Sequence, residues 1–176
     1  MSERQVISHA RVVTPTRDFE GSVVIEGERI AEVLPDRHFA EALDARGQWL
    51  IPGVIDLHTD YFEKEVIPRP SAEFPLELAF HFMDQRALAC GLTTVLGAVR
   101  IAGDDDRVGS SWRRNGLLLA ARYGELASRA RARHLMHIRW DPNFEPAGDK
   151  IDALLEHVDR IGNLVYNENI PEEDRE

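Results

Sequence analysis

Along the first part of the chain, apolar residues alternate with polar ones in short runs that end at turn formers. Val6-Ile7-Ser8-His9-Ala10-Arg11-Val12-Val13 meets Thr14-Pro15, Ser22-Val23-Val24-Ile25-Glu26 meets Gly27, and Arg29-Ile30-Ala31-Glu32-Val33-Leu34 stops at Pro35. Three such runs in succession predict strands of a small antiparallel sheet. After a polar connection around Asp44-Ala45-Arg46-Gly47 the rhythm changes. From Trp49 to Leu57 the chain is almost continuously apolar, which predicts a strand covered on both faces in a parallel sheet.

Further on, the period is helical. Leu76, Ala79, Phe80, Met83, Ala87 and Leu88 fall on one face and predict a helix over 76–89 that Gly91 ends. Thr93 to Val99 reads as the next buried strand. Residues 101–111 carry Gly103, three consecutive aspartates and Gly109-Ser110-Ser111, a loop pattern that leads into a helix over 112–133. A strand comes next through His134-Leu135-Met136-His137-Ile138-Arg139-Trp140-Asp141, then a helix over 150–160 with Ile151, Leu154, Leu155 and Val158 on one face, then a strand over 163–166. Alternating strands and helices predict a parallel α/β fold.

Composition limits the function classes. With 43% hydrophobic and 30% charged residues, the 176-residue chain can bury a core. A formal charge of −10 argues against nucleic acid or an anionic membrane surface as partner. No apolar run approaches the ~18 residues of a membrane span, and Met1-Ser2-Glu3-Arg4-Gln5 has no signal-peptide pattern. The expected compartment is the cytoplasm. The single cysteine, Cys90, lies in Arg86-Ala87-Leu88-Ala89-Cys90-Gly91 and reads as a buried structural thiol. Asp104-Asp105-Asp106 reads as a solvated loop, and no phosphate-binding glycine loop, nucleophile elbow or cysteine cluster is present.

The chemistry concentrates where the apolar strand stops, in Leu50-Ile51-Pro52-Gly53-Val54-Ile55-Asp56-Leu57-His58-Thr59-Asp60. In an extended segment residues i and i+2 share a face, so the His58 imidazole and the Asp60 carboxylate can converge on one divalent cation. Downstream lie Glu63 and the rigid Pro68-Arg69-Pro70, whose guanidinium can present a fork to phosphate or pair with a neighbouring carboxylate.

A small β segment, a Pro-Gly-Val-Ile-Asp-Leu-His-x-Asp strand and then alternating helices and strands resemble the amidohydrolase superfamily. That resemblance implies a partial (β/α)8 barrel with its chemistry at the C-terminal strand ends. It divides the chain into a β segment over 1–48, the first half of a barrel over 49–171 and a charged tail over 172–176. Residues 56–70, with His58, Asp60, Glu63 and Pro68-Arg69-Pro70, resemble the signature of the α-D-ribose 1-methylphosphonate 5-triphosphate diphosphatases of the carbon–phosphorus lyase pathway. Cys90-Gly91-Leu92-Thr93-Thr94-Val95 is similar to that family's Ala-Gly-Ile-Thr-Thr-Val.

The resemblance implies a metal-dependent hydrolase that releases diphosphate from a small phosphorylated sugar. His58, Asp60 and Asp141 are its metal ligands, Glu63, Arg69 and Arg139 its substrate-binding residues, and zinc or manganese its cofactor. Asp141 ends His137-Ile138-Arg139-Trp140-Asp141, which resembles the family's His-Leu-Arg-Cys-Glu with a carboxylate one methylene shorter; His137 and Arg139 are candidates for its support. Asn169 stands where the family has a histidine. The family's chains are longer, and everything beyond about the fourth barrel strand, including the expected general base, has no counterpart here. Three arrangements accommodate that: a truncated chain, a homodimer that pairs open edges, or a complementing second chain. Two rival functions are an amidohydrolase acting on cyclic amides and an inactive remnant serving as a binding or assembly subunit.

Overall fold

The structure, a computed structural model, describes residues 3–66, 68–69, 72–101, 116–140, 152 and 161–166. The chain divides into two units, Met1–Pro52 and Gly53–Glu176.

In the first unit, β1 (Arg4–Val13), β2 (Asp18–Glu26) and β3 (Arg29–Pro35) form the antiparallel meander that their alternation predicts. Two short strands, β4 (Leu43–Asp44) and β5 (Trp49–Leu50), add to β1 in parallel, so the sheet is mixed. Gly27, at φ 61°, makes the tight turn between β2 and β3. Ala10, Val12 and Val23 form the buried core, with Ile7, Phe19, Ile25, Ala45 and Leu50 packed on it. Two buried hydroxyls are satisfied among themselves: Ser22 Oγ lies 2.9 Å from Ser8 Oγ and donates to the Arg37 carbonyl at 2.6 Å.

The second unit is a four-stranded parallel sheet in the order β6 (Val54–Thr59), β7 (Leu92–Ile101), β8 (Arg133–Trp140), β9 (Ile161–Tyr166). Three helices are described with it: α1 (Tyr61–Val66), α2 (Leu76–Ala89) and α3 (Gly116–Ala127). Helix α2 has the predicted bounds and ends at Cys90, followed by Gly91 at φ 77°, a conformation that a side chain resists. The core joins Phe62 and Val66 of α1, Ala79, Phe80 and Met83 of α2, Tyr123 and Leu126 of α3, and Val99, Met136 and Ile138 of the sheet. Phe62, Phe80 and Tyr123 meet edge to face with ring centroids 5.2 to 5.7 Å apart, a favourable geometry for aromatic rings. Since Phe62 is held there, the chain leaving β6 is held as well.

The sheet is open among the described residues, with β6 and β9 at its edges, which makes it a partial α/β barrel and not a closed one. No described helix is long and apolar enough to cross a membrane.

Four sequence readings change. The run from Trp49 to Leu57 is two strands: β5 joins the first sheet and β6 the second. Composition cannot say which sheet an apolar run joins, and Pro52, with no N–H to give a ladder, sits at the break. The strand is also not covered on both faces, since Ile55 and Leu57 are 57% and 65% exposed. Cys90 is exposed, because it caps α2 and does not belong to the helix's buried face. The predicted long helix ends at Ala127, and Ser128 to Ala132 form the turn into β8. Its start, the loop with Asp104-Asp105-Asp106, the helix over 150–160 apart from Asp152, and the tail lie outside the described residues.

Candidate functional site

Parallel strands deliver their C-terminal ends to one side of a sheet, and the polar side chains of β6 and β8 meet there. Along β6 the ladder to β7 is irregular. Asp56 pairs with Val95 and Thr59 with Gly97, so Leu57 and His58 together face the single residue Leu96, a bulge at the end of the strand. The Asp56 carboxylate accepts the His58 N–H at 3.0 Å, which pins the bulge. The strand ends at Thr59, and Asp60 immediately precedes α1, whose Lys64 N–H bonds the Asp60 carbonyl at 3.4 Å. His58 and Asp60 therefore come together, Nε2 to Oδ1 3.6 Å, through a bulge and a helix start and not through regular alternation.

From β8, His137 and Arg139 point to the same cluster, as residues i and i+2 of a strand do. The His58 and His137 rings meet edge to face with centroids 4.6 Å apart. Arg139 Nη1 donates to Asp60 Oδ1 at 3.2 Å. His137 Nδ1 lies 3.0 Å from the Leu57 carbonyl, which can only accept, so Nδ1 carries the proton and Nε2 keeps a lone pair. Burial holds His137 below the usual histidine range; His58 and Arg139 act the same way, against the Leu57 carbonyl and Asp60.

Glu63 lies in α1, with its side chain outside the described atoms, and Asp141 and Asn169 lie outside the described residues. Arg69 is exposed, in an isolated bridge to Ala72. Glu65, a carboxylate close to Arg69 in sequence, pairs with Arg86 at 2.5 Å. A groove lined by Asp56, Thr59 and Tyr61 together with Glu65, Arg86 and Cys90 among others does not include His58, Asp60 or Arg139. In the sequence His137 reads only as a support for Asp141. Its i, i+2 relation to Arg139 is the signal that both reach one site.

No family model matches the chain. A curated relative, the alpha-D-ribose 1-methylphosphonate 5-triphosphate diphosphatase of Escherichia coli (strain K12), is 34% identical over 137 residues, which are 76% of this chain and 36% of the relative. Among solved structures, a D-hydantoinase superposes with a TM-score of 0.63 at 18% identity over 92% of this chain and 32% of its own. The L-hydantoinase of Arthrobacter aurescens gives 0.55 at 14% identity, over 93% of this chain and 32% of its own. The chain is similar in sequence to this diphosphatase and in fold to the hydantoinases. It spans about a third of the length of these proteins. At such low identity the two structures speak for the fold alone.

Amidohydrolase-superfamily enzymes usually hold divalent metal ions, and the chemistry of the cluster fits one in part. His58 and Asp60 offer nitrogen and oxygen donors 3.6 Å apart, and the His137 Nδ1–H bonded to a backbone carbonyl is the arrangement that prepares Nε2 as a ligand. Among the described residues, however, no three such side chains stand as a coordination set. Arg139 also places a guanidinium beside the two donors, through its bond to Asp60 Oδ1.

Proposed function

We propose that this chain contributes the first part of a metal-dependent hydrolase site that acts on a phosphorylated sugar, cleaving a triphosphate to release diphosphate. The observation that carries this reading is the 34% identity to the Escherichia coli diphosphatase. The meeting of an imidazole, a carboxylate and a guanidinium at the ends of β6 and β8 supports it, because this is the equipment for a cation beside an anionic group. The hydantoinases share the fold at low identity, which gives no comparable support to a cyclic amide as substrate.

In this reading His58 and Asp60 hold the ion, zinc or manganese, and Asp141 adds a further carboxylate. The ion would supply a water of lowered pKa and positive charge beside phosphoryl oxygens; the hydrolysis itself consumes one water and breaks one P–O anhydride bond, with diphosphate as the leaving group. His137 keeps His58 in place from one side through its ring contact, while its bond to Leu57 fixes the end of β6. Arg139 and Arg69 supply planar donor forks for phosphoryl oxygens. The exposed apolar residues of β6 and Leu164 of β9, 50% exposed, support completion of the barrel by further strands. Those strands come from the rest of a longer chain, a second copy or a complementing chain, and the general base comes with them.

Metal content by mass spectrometry tests the ligand assignment. His58→Ala should lose the zinc or manganese that the unmodified chain retains, and unchanged content in that variant refutes the assignment. Phosphorus NMR of a ribose 5-triphosphate incubated with the completed protein should show diphosphate. Hydrolysis of a dihydropyrimidine ring instead would select the cyclic-amide rival, and metal-free protein that turns over neither would select the inactive remnant.

A further inference from the structure

The parallel sheet is staggered. Thr59 pairs with Gly97, Gly97 with Met136 and Met136 with Ile161, so the last residue of β6 stands level with the first of β9. A sheet that closes into a barrel requires such an offset, because its strands tilt against the barrel axis. The four strands are also half of the eight in a parallel barrel, whose full circuit offsets the ladder by about eight residues. Both edges of the described sheet carry exposed apolar side chains, Ile55 and Leu57 on β6 and Leu164 on β9. Leu164 pairs with Ile138, a member of the core beneath the helices, so it lies on the helix face of its edge. The groove beside β6 opens on that same face, where Met83 and Ala87 of α2 line it together with Thr59 and Val95.

We propose that a second copy of this chain completes the barrel, β9 of each copy adding in parallel to β6 of the other about a twofold axis. The proposal rests on the barrel completion named above and not on the hydrolase chemistry. Half a circuit offsets the ladder by about four residues, which brings the staggered β9 flush with the partner's β6. Leu164 then lies beside the partner's Asp56 and over the apolar groove, Val165 beside the partner's Leu57, and Tyr166 beside the partner's Thr59. Each copy uses both edges at once, so the pair closes as a ring and leaves no strand to recruit a third chain. Two seams cover on the order of the 800 Å² per partner that a stable dimer needs, and one seam covers half of that. Because all the strands run the same way, the His58 and His137 of both copies open at one mouth.

The test is the mass of the 176-residue chain in solution, by sedimentation equilibrium. The unmodified chain should have the mass of two copies; a single copy, or an assembly larger than two, overturns the proposal and leaves the hydrolase reading standing. Leu57→Lys and Val165→Asp should each halve the mass, because either change damages both seams of a symmetric pair. Mixed together they should restore the mass of two, since the mixed pair has one unmodified seam and one in which lysine faces aspartate. A dimer that survives in either variant alone, or a mixture that stays single, overturns closure through these two edges. Ile30→Lys, at an exposed residue of the first unit, should leave the dimer intact, and its loss there counts against the assignment as well. If circular dichroism shows Leu57→Lys or Val165→Asp to be unfolded, Ile55→Lys and Leu164→Asp, both at exposed positions, replace them with the same expected masses.

Discussion

Replacing Asp84 by alanine should destabilise the Gly53–Glu176 unit far more than the loss of an acid from a helix ordinarily does. Asp84 is 4% exposed and is the acceptor for three donors: the Arg131 N–H at 3.1 Å, the Ala132 N–H at 3.0 Å and His134 Nε2 at 2.9 Å. It thus ties α2 to the turn that starts β8. In the alanine variant the His134 ring, 0% exposed, and the Ala132 amide, in a residue 5% exposed, lose their acceptor without gaining water. Each such buried donor costs about 1–3 kcal/mol, and the more exposed Arg131 amide adds roughly 1 kcal/mol at most, so about 3–5 kcal/mol is expected in all. Urea unfolding followed by circular dichroism measures it. With a slope of about 2 kcal/mol/M the midpoint should fall by roughly 2 M. Asp84→Asn keeps the shape and one acceptor oxygen but opposes an NH₂ to the other donors, so it should lose about half as much. A loss under about 1 kcal/mol for Asp84→Ala would refute the reasoning, because it would mean that the three donors find other acceptors.

The same cluster predicts acid sensitivity. Burial holds His134 below its ordinary 6.5, against the pull of Asp84, so the unfolded chain takes up that proton first; stability present above about pH 6.5 is lost as the pH falls below it. Asp84 titrates lower down: burial alone would raise its carboxyl, but the Ala132 and Arg131 amides and His134 together hold it below 3.8. The urea midpoint should therefore drop from about pH 7 to about pH 5 and drop less in His134→Gln, with His137, also held low, supplying the remainder; an identical slope in the variant counts against His134. Gly97→Ala should cost about 1–3 kcal/mol, because its new methyl would stand 2.8 Å from the Tyr123 ring atoms Cε2 and Cζ, and Tyr123 is fully buried. A thermal midpoint unchanged by that substitution would mean that the Tyr123 ring yields.

The fold is legible in the sequence wherever local rules dictate it. The apolar face of α2 names its own burial, and Gly91 names its end, so Leu76–Ala89 is read without help. Helix α1 escapes that reading because one and a half turns close to Pro68 look like loop, although Phe62 and Val66, four apart and both buried, carry the helical spacing in miniature. Asp84 is the opposite case. An acid in an amphipathic helix is ordinarily a solvated residue, and only its partners, 47 to 50 positions away, make it a buried anchor. Helix periodicity does not register pairings at such separations.

The pairing of His58 with Asp60 is legible in the sequence and its geometry is not, and one bulge explains why. Had β6 and β7 kept step beyond Asp56–Val95, His58 would stand opposite Gly97, on the side where an added Gly97 methyl meets Tyr123. An imidazole there would be driven into the core. Because Leu57 and His58 share one partner, Thr59 takes the place beside Gly97, where it is 6% exposed, and His58 turns to the side occupied by His137, which pairs with Ala98. Sequence alternation correctly nominates His58 and Asp60 as companions, yet a single extra residue decides whether they face the core or a site. That residue also brings Asp60 off the strand and within reach of Arg139, a pairing 79 positions apart that no reading of the motif contains.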